Sequence, residues 1–202
     1  LCPSDYSSVL AGRGAAGRGP FAVAATGAAM LVGRLSYALG LQGSCIAFDT
    51  ACSASLAAFQ GALHARKHHD ANAALVLGVN VMCDSSTSML FAAAQMTSPT
   101  GKSHTFDARA NGYARGEACS CVALLAEAES QGLRCDASAV RQDGKSASLT
   151  APNGPAQQAL IRAALASAGR SSLGGAILHE SHGTGTSLGD PVSYTHLRAH
   201  ET

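Results

Sequence analysis

Two residues in this chain have the type and the setting to do chemistry, Cys52 and His182. Cys52 falls where the hydrophobic period changes. Before it, Ile46 and Phe48 alternate with Cys45 and Ala47, the pattern of a strand. After it, Leu56, Phe59 and Leu63 recur at i, i+3 and i+7, the stripe of a packed helix. Asp49-Thr50-Ala51-Cys52 is therefore expected to be a tight turn that sets the thiol at a helix N-terminus. Unpaired backbone N–H groups and the positive end of the helix dipole gather there. Both favour a thiolate, and both can stabilise an oxyanion beside it. The competing reading is a small buried hydrophobe, the usual state of a free cysteine. His182 precedes Gly183 and the paired hydroxyls of Thr184 and Thr186, so it can approach a ligand closely. Its competing reading is a structural loop histidine.

Magnitudes show that such a thiol needs help. A thiol at the ordinary cysteine value of about 8.5 is roughly 3% ionised at pH 7. A helix terminus contributes roughly 0.3–1 kcal/mol, which brings the thiolate to about 14% at most. A nearby histidine is the natural supplement.

The elements that must hold these residues read as α/β. Thr26 is expected to cap a helix through Leu39, with Leu31, Leu35 and Leu39 in register and Gly40 as terminator. The Cys52 helix ends in His64-Ala-Arg-Lys-His-His69, cations near the negative end of its dipole. Ala73–Val81 is a short apolar run, expected to be a buried strand. Strand, helix and strand in succession imply a right-handed crossover and a parallel pair. Cys119–Ala126 reads as another strand, with Cys119 and Cys121 on one face, and Ala137–Val140 as a shorter one. Asn153-Gly154-Pro155 opens a helix whose stripe is Leu160, Ile161, Ala164, Leu165 and Ala168, with Gly169 as its end. Gly175–Leu178 is expected to be a short strand leading to His182.

Composition excludes several classes. The chain has 202 residues, 47% hydrophobic and 13% charged, with a formal charge of +1. That balance gives no electrostatic case for nucleic acid or an anionic membrane. No apolar run approaches the roughly 18 residues of a spanning helix, and no secretory signal is visible at the start. Seven cysteines at irregular spacings suit reduced thiols better than a disulfide framework. The expected setting is a reducing one, cytoplasmic or plastid, not secreted. No metal site is expected. The histidines of 64–69 suit a solvated helix end, and two cysteines in a strand do not make a zinc site. Gly12-Arg-Gly-Ala-Ala-Gly17 matches G-x-G-x-x-G, but no strand precedes it, and the 182–190 run has no Gly-Lys-Ser/Thr, so neither reads as a phosphate loop.

Several segments together resemble the β-ketoacyl synthase (ketosynthase) family, most closely the ketosynthase domains of modular type I polyketide synthases. They are Asp49-Thr-Ala-Cys-Ser-Ala-Ser-Leu56, Gly78-Val-Asn-Val81, Phe106-Asp107 with Gly112-Tyr-x-Arg-Gly-Glu117, Gln142-Asp-Gly144 with Leu149-Thr-Ala-Pro-Asn-Gly-Pro155, and His182-Gly-Thr-Gly-Thr-Ser-Leu-Gly-Asp-Pro191. They run through most of residues 26–191 in the family's order and spacing.

The resemblance implies a thiolase-like α/β fold, layered α-β-α-β-α, and a homodimer in the full-length protein. It implies decarboxylative Claisen condensation in polyketide or fatty-acid biosynthesis, with no cofactor bound directly. The substrates would be acyl and malonyl thioesters on the phosphopantetheine of an acyl carrier protein. Cys52 would take the acyl group. His182 would hydrogen-bond the malonyl thioester carbonyl. Thr184 and Thr186 would contact the pantetheine arm. The family's second catalytic histidine, in a Lys-Ser-Asn-Ile-Gly-His-like motif after the 182–191 segment, has no counterpart here. Residues 1–191 are thus expected to be a partial ketosynthase domain, incomplete at both ends and inactive alone. Two alternatives stay open: a thiolase-type acyltransferase that works without decarboxylation, and a non-catalytic partner in a synthase complex.

Residues 192–202, VSYTHLRAHET, break the pattern. They back-translate to a sequence resembling the end of a common transposon-based sequencing-library adapter. They are expected to be a non-native tail, with the native sequence diverging after Pro191.

Overall fold

The structure, a computed structural model, describes residues 3–14, 19, 26–126, 132–148, 150–175 and 178–198. The chain divides into two compact units, Leu1–Met89 with Gly116–Leu133, and Leu90–Arg115 with Arg134–Thr202.

The first unit holds α1 (Pro3–Gly12), α2 (Ala28–Leu39), α3 (Ala54–Lys67), β1 (Ala74–Asn80) and, after α4 (Ser86–Ala93), β2 (Ala118–Leu124). Helix α2 follows Gly27, not Thr26, and ends at Gly40, whose φ of 66° is the left-handed conformation that glycine adopts without strain. The amide of Leu41 then donates back to the Ser36 carbonyl at 2.9 Å, satisfying one of the free carbonyls at the helix end.

Strands β1 and β2 pair antiparallel, from Ala74 opposite Leu124 to Asn80 opposite Ala118. Val76 of β1 is buried. Helix α3 lies close against this ladder at Gly78, where a Cβ would stand 2.8 Å from Ser55 Oγ. The chain beyond β1 is tied to the chain before β2. Asn80 Nδ2 donates to the Gly116 carbonyl at 2.5 Å, and the Met82 amide donates to Glu117 Oε1 at 2.6 Å.

The expected strand at Ser44–Phe48 is not formed, and with it goes the expected parallel pair: β1 finds its partner in β2 instead. Alternation specifies which side chains share a face. A strand also needs a second segment to take its N–H and C=O groups, and no local pattern encodes that partner. Ala137–Val140 likewise joins no ladder. Of the expected strand Gly175–Leu178, residues 176–177 lie outside the described residues. The α3 stripe covers less than its spacing suggests. Phe59 and Leu63 are half-buried, while Leu56 is 73% exposed.

The second unit holds α5 (Gly154–Ser167) and α6 (Gly189–Arg198), which pack on each other, and Leu165 of α5 is buried. Asn153 caps α5, its Oδ1 accepting from the Ala156 amide at 3.2 Å. The same side chain donates through Nδ2 to the Asp143 carbonyl at 2.7 Å. The Gln142-Asp-Gly144 segment is thereby fastened to the start of the helix it precedes.

Candidate active site

The Cys52 turn is built in the first unit. After Phe48 the chain passes through Thr50 and reaches Ala51, whose φ of 52° is left-handed and costs a non-glycine residue roughly 1–2 kcal/mol. Ala51–Ser53 then forms one turn of 3-10 helix that leads directly into α3. The turn closes on itself. Ser53 Oγ donates to the Thr50 carbonyl at 2.8 Å and lies 2.9 Å from Thr50 Oγ1, and the Ser53 amide donates to the same carbonyl at 3.2 Å. Cys52 is thus exposed at the N-terminal end of a 14-residue helix. It is not a buried hydrophobe. A left-handed alanine beside the thiol is the kind of local strain that a fold retains where the surroundings over-determine it.

His182 belongs to the second unit, so the structure describes the two chemical residues each in its own unit. The run 182–188 is a loop shaped by two left-handed glycines, Gly183 (φ 50°) and Gly185 (φ 71°), and leads into α6. A Cβ on Gly185 would meet the His104 amide nitrogen at 2.9 Å, so the loop backbone lies directly on the 104–113 segment. Three hydrogen bonds hold it there: the Gly112 amide to the Gly185 carbonyl at 3.0 Å, Thr105 Oγ1 to the Gly183 carbonyl at 2.6 Å, and the Phe106 amide to Asp190 Oδ2 at 2.7 Å. His182 itself is exposed at the start of this anchored loop.

Thr184 and Thr186 are brought together, their hydroxyls 3.0 Å apart. Thr186 Oγ1 also accepts from the Gly189 amide at 3.1 Å, serving as the cap of α6. Thr184 is half-buried and Thr186 likewise.

Asp190 was legible only as the end of a motif, and its role emerges from the structure. It is 4% exposed and accepts from the Gly185 amide through Oδ1 at 3.1 Å and from the Phe106 amide through Oδ2. One buried carboxylate therefore joins the His182 loop to the Phe106 loop. A signal was present in the sequence: an acidic residue followed by Pro191 is a helix start, and α6 begins there. Phe106, Asp190, Pro191 and Thr186 contribute to an open cleft of about 560 Å³ in this unit.

The 96–116 segment beside it is equally constrained. Thr97 and Tyr113 form an isolated parallel bridge, with the Ser98 amide donating to the Tyr113 carbonyl at 2.9 Å. Gly112 has a φ of 128°, and a Cβ there would stand 2.6 Å from the Ser98 nitrogen, so only glycine fits. Among the described residues no group of histidine, cysteine and carboxylate side chains could hold a metal ion. No described helix is long and apolar enough to cross a membrane.

The anchored cysteine turn and the glycine-shaped histidine loop coincide with two family descriptions. Residues 3–130 match the β-ketoacyl synthase N-terminal domain, and residues 134–200 match the β-ketoacyl synthase C-terminal domain. The chain belongs to the β-ketoacyl synthase family. It is 44% identical over 173 residues to a phenolphthiocerol/phthiocerol polyketide synthase of Mycobacterium tuberculosis, a match that covers 82% of this chain and 8% of that protein. It is 40% identical over 201 residues to polyketide synthase GfsA of Streptomyces halstedii, covering 96% of this chain and 3% of that one. Among solved structures it superposes on an oxazolomycin ketosynthase domain of Streptomyces albus with a TM-score of 0.80 and 34% identity, covering 88% of this chain and 31% of that chain. The ketosynthase from module 6 of the bacillaene synthase of Bacillus subtilis gives 0.79 and 32%, with 87% of this chain and 32% of that one covered. The ketosynthase fold is the thiolase-like α/β architecture, and this chain spans about a third of those solved ketosynthase chains.

Proposed function

We propose that the full-length protein is a ketosynthase of polyketide assembly that joins an acyl group held on Cys52 to a malonyl unit. The observation that carries this is the Cys52 turn. An exposed thiol sits at a helix N-terminus, behind a left-handed alanine, inside the segment that matches the family's N-terminal domain.

The chemistry runs in two stages. The Cys52 thiolate attacks an acyl thioester on the phosphopantetheine arm of an acyl carrier protein, and the pantetheine thiol leaves. A malonyl thioester then loses carbon dioxide, and His182 donates a hydrogen bond to its carbonyl oxygen as the enolate forms. The enolate carbon attacks the acyl-Cys52 carbonyl. Cys52 is released as thiolate, and the product is a β-ketoacyl thioester. Backbone N–H groups at the α3 terminus offer donors to the oxyanion of each tetrahedral intermediate. Thr184 and Thr186 lie beside His182 in sequence and contact the pantetheine arm in this reading. In the family's site a second histidine works with the cysteine and His182, and condensation is assigned here to the full-length protein. The full-length protein acts as a homodimer, and no cofactor is bound directly. In this reading residues 1–191 are native ketosynthase sequence and residues 192–202 a non-native tail, although the C-terminal family match extends through residue 200.

The experiment is a condensation assay of the full-length protein with acyl-primed enzyme and either malonyl or acetyl carrier-protein thioesters. β-Ketoacyl product and carbon dioxide from malonyl alone support the reading. Product from acetyl thioester without carbon dioxide contradicts it in favour of a thiolase-type transferase, and no acyl transfer to Cys52 contradicts it in favour of a non-catalytic partner.

A further inference from the structure

The approach to the Cys52 turn contains a contact that neither motif spacing nor family membership assigns. The Phe48 ring lies over Gly61, the eighth residue of α3, so closely that a Cβ built on Gly61 would stand 2.6, 3.3 and 3.5 Å from three ring carbons. Any other residue at 61 displaces the ring or the helix. The contact matters because of what lies between its two members. Phe48 is three residues before Ala51, the left-handed residue, and Gly61 is nine residues after Cys52 on the helix that the turn begins. The ring on the glycine therefore closes a loop whose middle is the strained turn. The segment Ser44–Phe48 has no ladder hydrogen bonds to hold it, so its grip on α3 must come from side chains.

We propose that Phe48 and Gly61 are positioning residues for Cys52: the ring seated on the missing side chain holds the strained turn, and with it the thiol, at the helix N-terminus. Inside the turn, Ser53 Oγ and the Thr50 carbonyl act from one side. Phe48 on Gly61 acts from the other, fixing the direction from which the chain arrives. Without that second hold, Ala51 relaxes out of the left-handed region, where a non-glycine residue stays only under constraint. Cys52 then leaves the end of the dipole. The inference rests on reading Cys52 as the nucleophile and adds the residues that make it one.

The test uses the full-length protein and measures iodoacetamide alkylation at pH 7 by peptide mass mapping. The rate at Cys52 is divided by the rate at Cys135, an exposed cysteine of the other unit that serves as internal reference. Wild-type protein should alkylate Cys52 faster. Gly61→Ala should lower the ratio roughly tenfold, the scale set by a sub-ångström displacement of a reacting group, with the circular dichroism spectrum unchanged. Phe48→Leu combined with Gly61→Ala should restore most of the ratio, because the methyl then occupies volume that the ring has vacated. A Gly61→Ala ratio equal to wild type, or a double variant no better than Gly61→Ala, overturns the inference. Should Gly61→Ala not fold, Phe48→Leu alone carries the test: the ratio falls several-fold if the ring holds the turn, and an unchanged ratio overturns the proposal. A wild-type ratio near one sinks the nucleophile reading together with this inference, whereas a high wild-type ratio untouched by any of these changes sinks this inference alone.

Discussion

The amide of Phe106 donates a 2.7 Å hydrogen bond to the carboxylate of Asp190, 84 residues further along the chain. The other oxygen of that carboxylate takes the Gly185 amide at 3.1 Å, three residues after His182. A single buried side chain thereby sets the distance between two loops that have no regular secondary structure of their own. Asp190 can do this because it sits in the first turn of α6, where the helix dipole favours a negative charge and the helix backbone keeps its Cα in place.

Replacing Asp190 by Ala should therefore act on both loops at once. Two amides lose their acceptor, the buried one of Gly185 and the part-buried one of Phe106, and the buried one left unpaired costs about 1–3 kcal/mol. Asp190→Asn should recover part of the loss, since its carbonyl still accepts from one amide. Thermal or urea unfolding of the full-length protein measures this. A midpoint for Asp190→Ala within experimental error of wild type contradicts the bridging role.

Asp107 gives a pH prediction of definite sign. Its side chain and the Arg109 guanidinium make a two-pronged contact, at 2.9 and 2.7 Å, and the Arg109 amide adds a third bond at 2.8 Å. The side-chain hydrogen bonds from Arg109, then its backbone hydrogen bond, hold the carboxyl well below the usual carboxylate range. The folded value is depressed, so the contact's contribution is fully present above about pH 4, where an unfolded Asp is ionised. It is lost only as pH falls below that, towards the folded value. At neutral pH the pair is exposed to solvent and contributes little to stability. NMR titration of the Asp107 carboxyl should show a midpoint below the ordinary range, and Arg109→Ala should return it upward. A midpoint unmoved by Arg109→Ala contradicts this.

The segment 192–202 makes a prediction at the nucleic-acid level. Helix α6 runs through Arg198, so helix formation by itself does not discriminate a native from a foreign sequence here. Amplifying and sequencing the transcript without transposon-based library chemistry should give different codons after Pro191. The same codons in an adapter-free clone would make the segment native.

Much of this was legible from local pattern, and the exceptions share a cause. The Cys52 turn, the start of α3, β1, β2 and the cap-and-proline start of α5 all follow from period changes, capping residues and glycine. Each of those signals acts within a few residues. The pairing of β1 with β2 brings Ala74 opposite Leu124, and the Asp190 bridge joins residues still further apart in the chain. No short-range pattern encodes either. Ser44–Phe48 shows the limit most plainly: its alternation could not supply the neighbour that would make it a strand. Thr186 shows a different one. The hydroxyl singled out for a ligand is also the acceptor that caps α6, and spacing alone does not separate those uses.

The central claim is that Cys52 is the residue that carries the acyl group. Incubating the full-length protein with an acyl carrier-protein thioester, then digesting it and mapping peptides by mass, tests it directly. The acyl mass should appear on the peptide containing Cys52, and Cys52→Ala should abolish it while leaving the unfolding midpoint near wild type. Acylation that maps to another cysteine, or that survives Cys52→Ala, would contradict the claim.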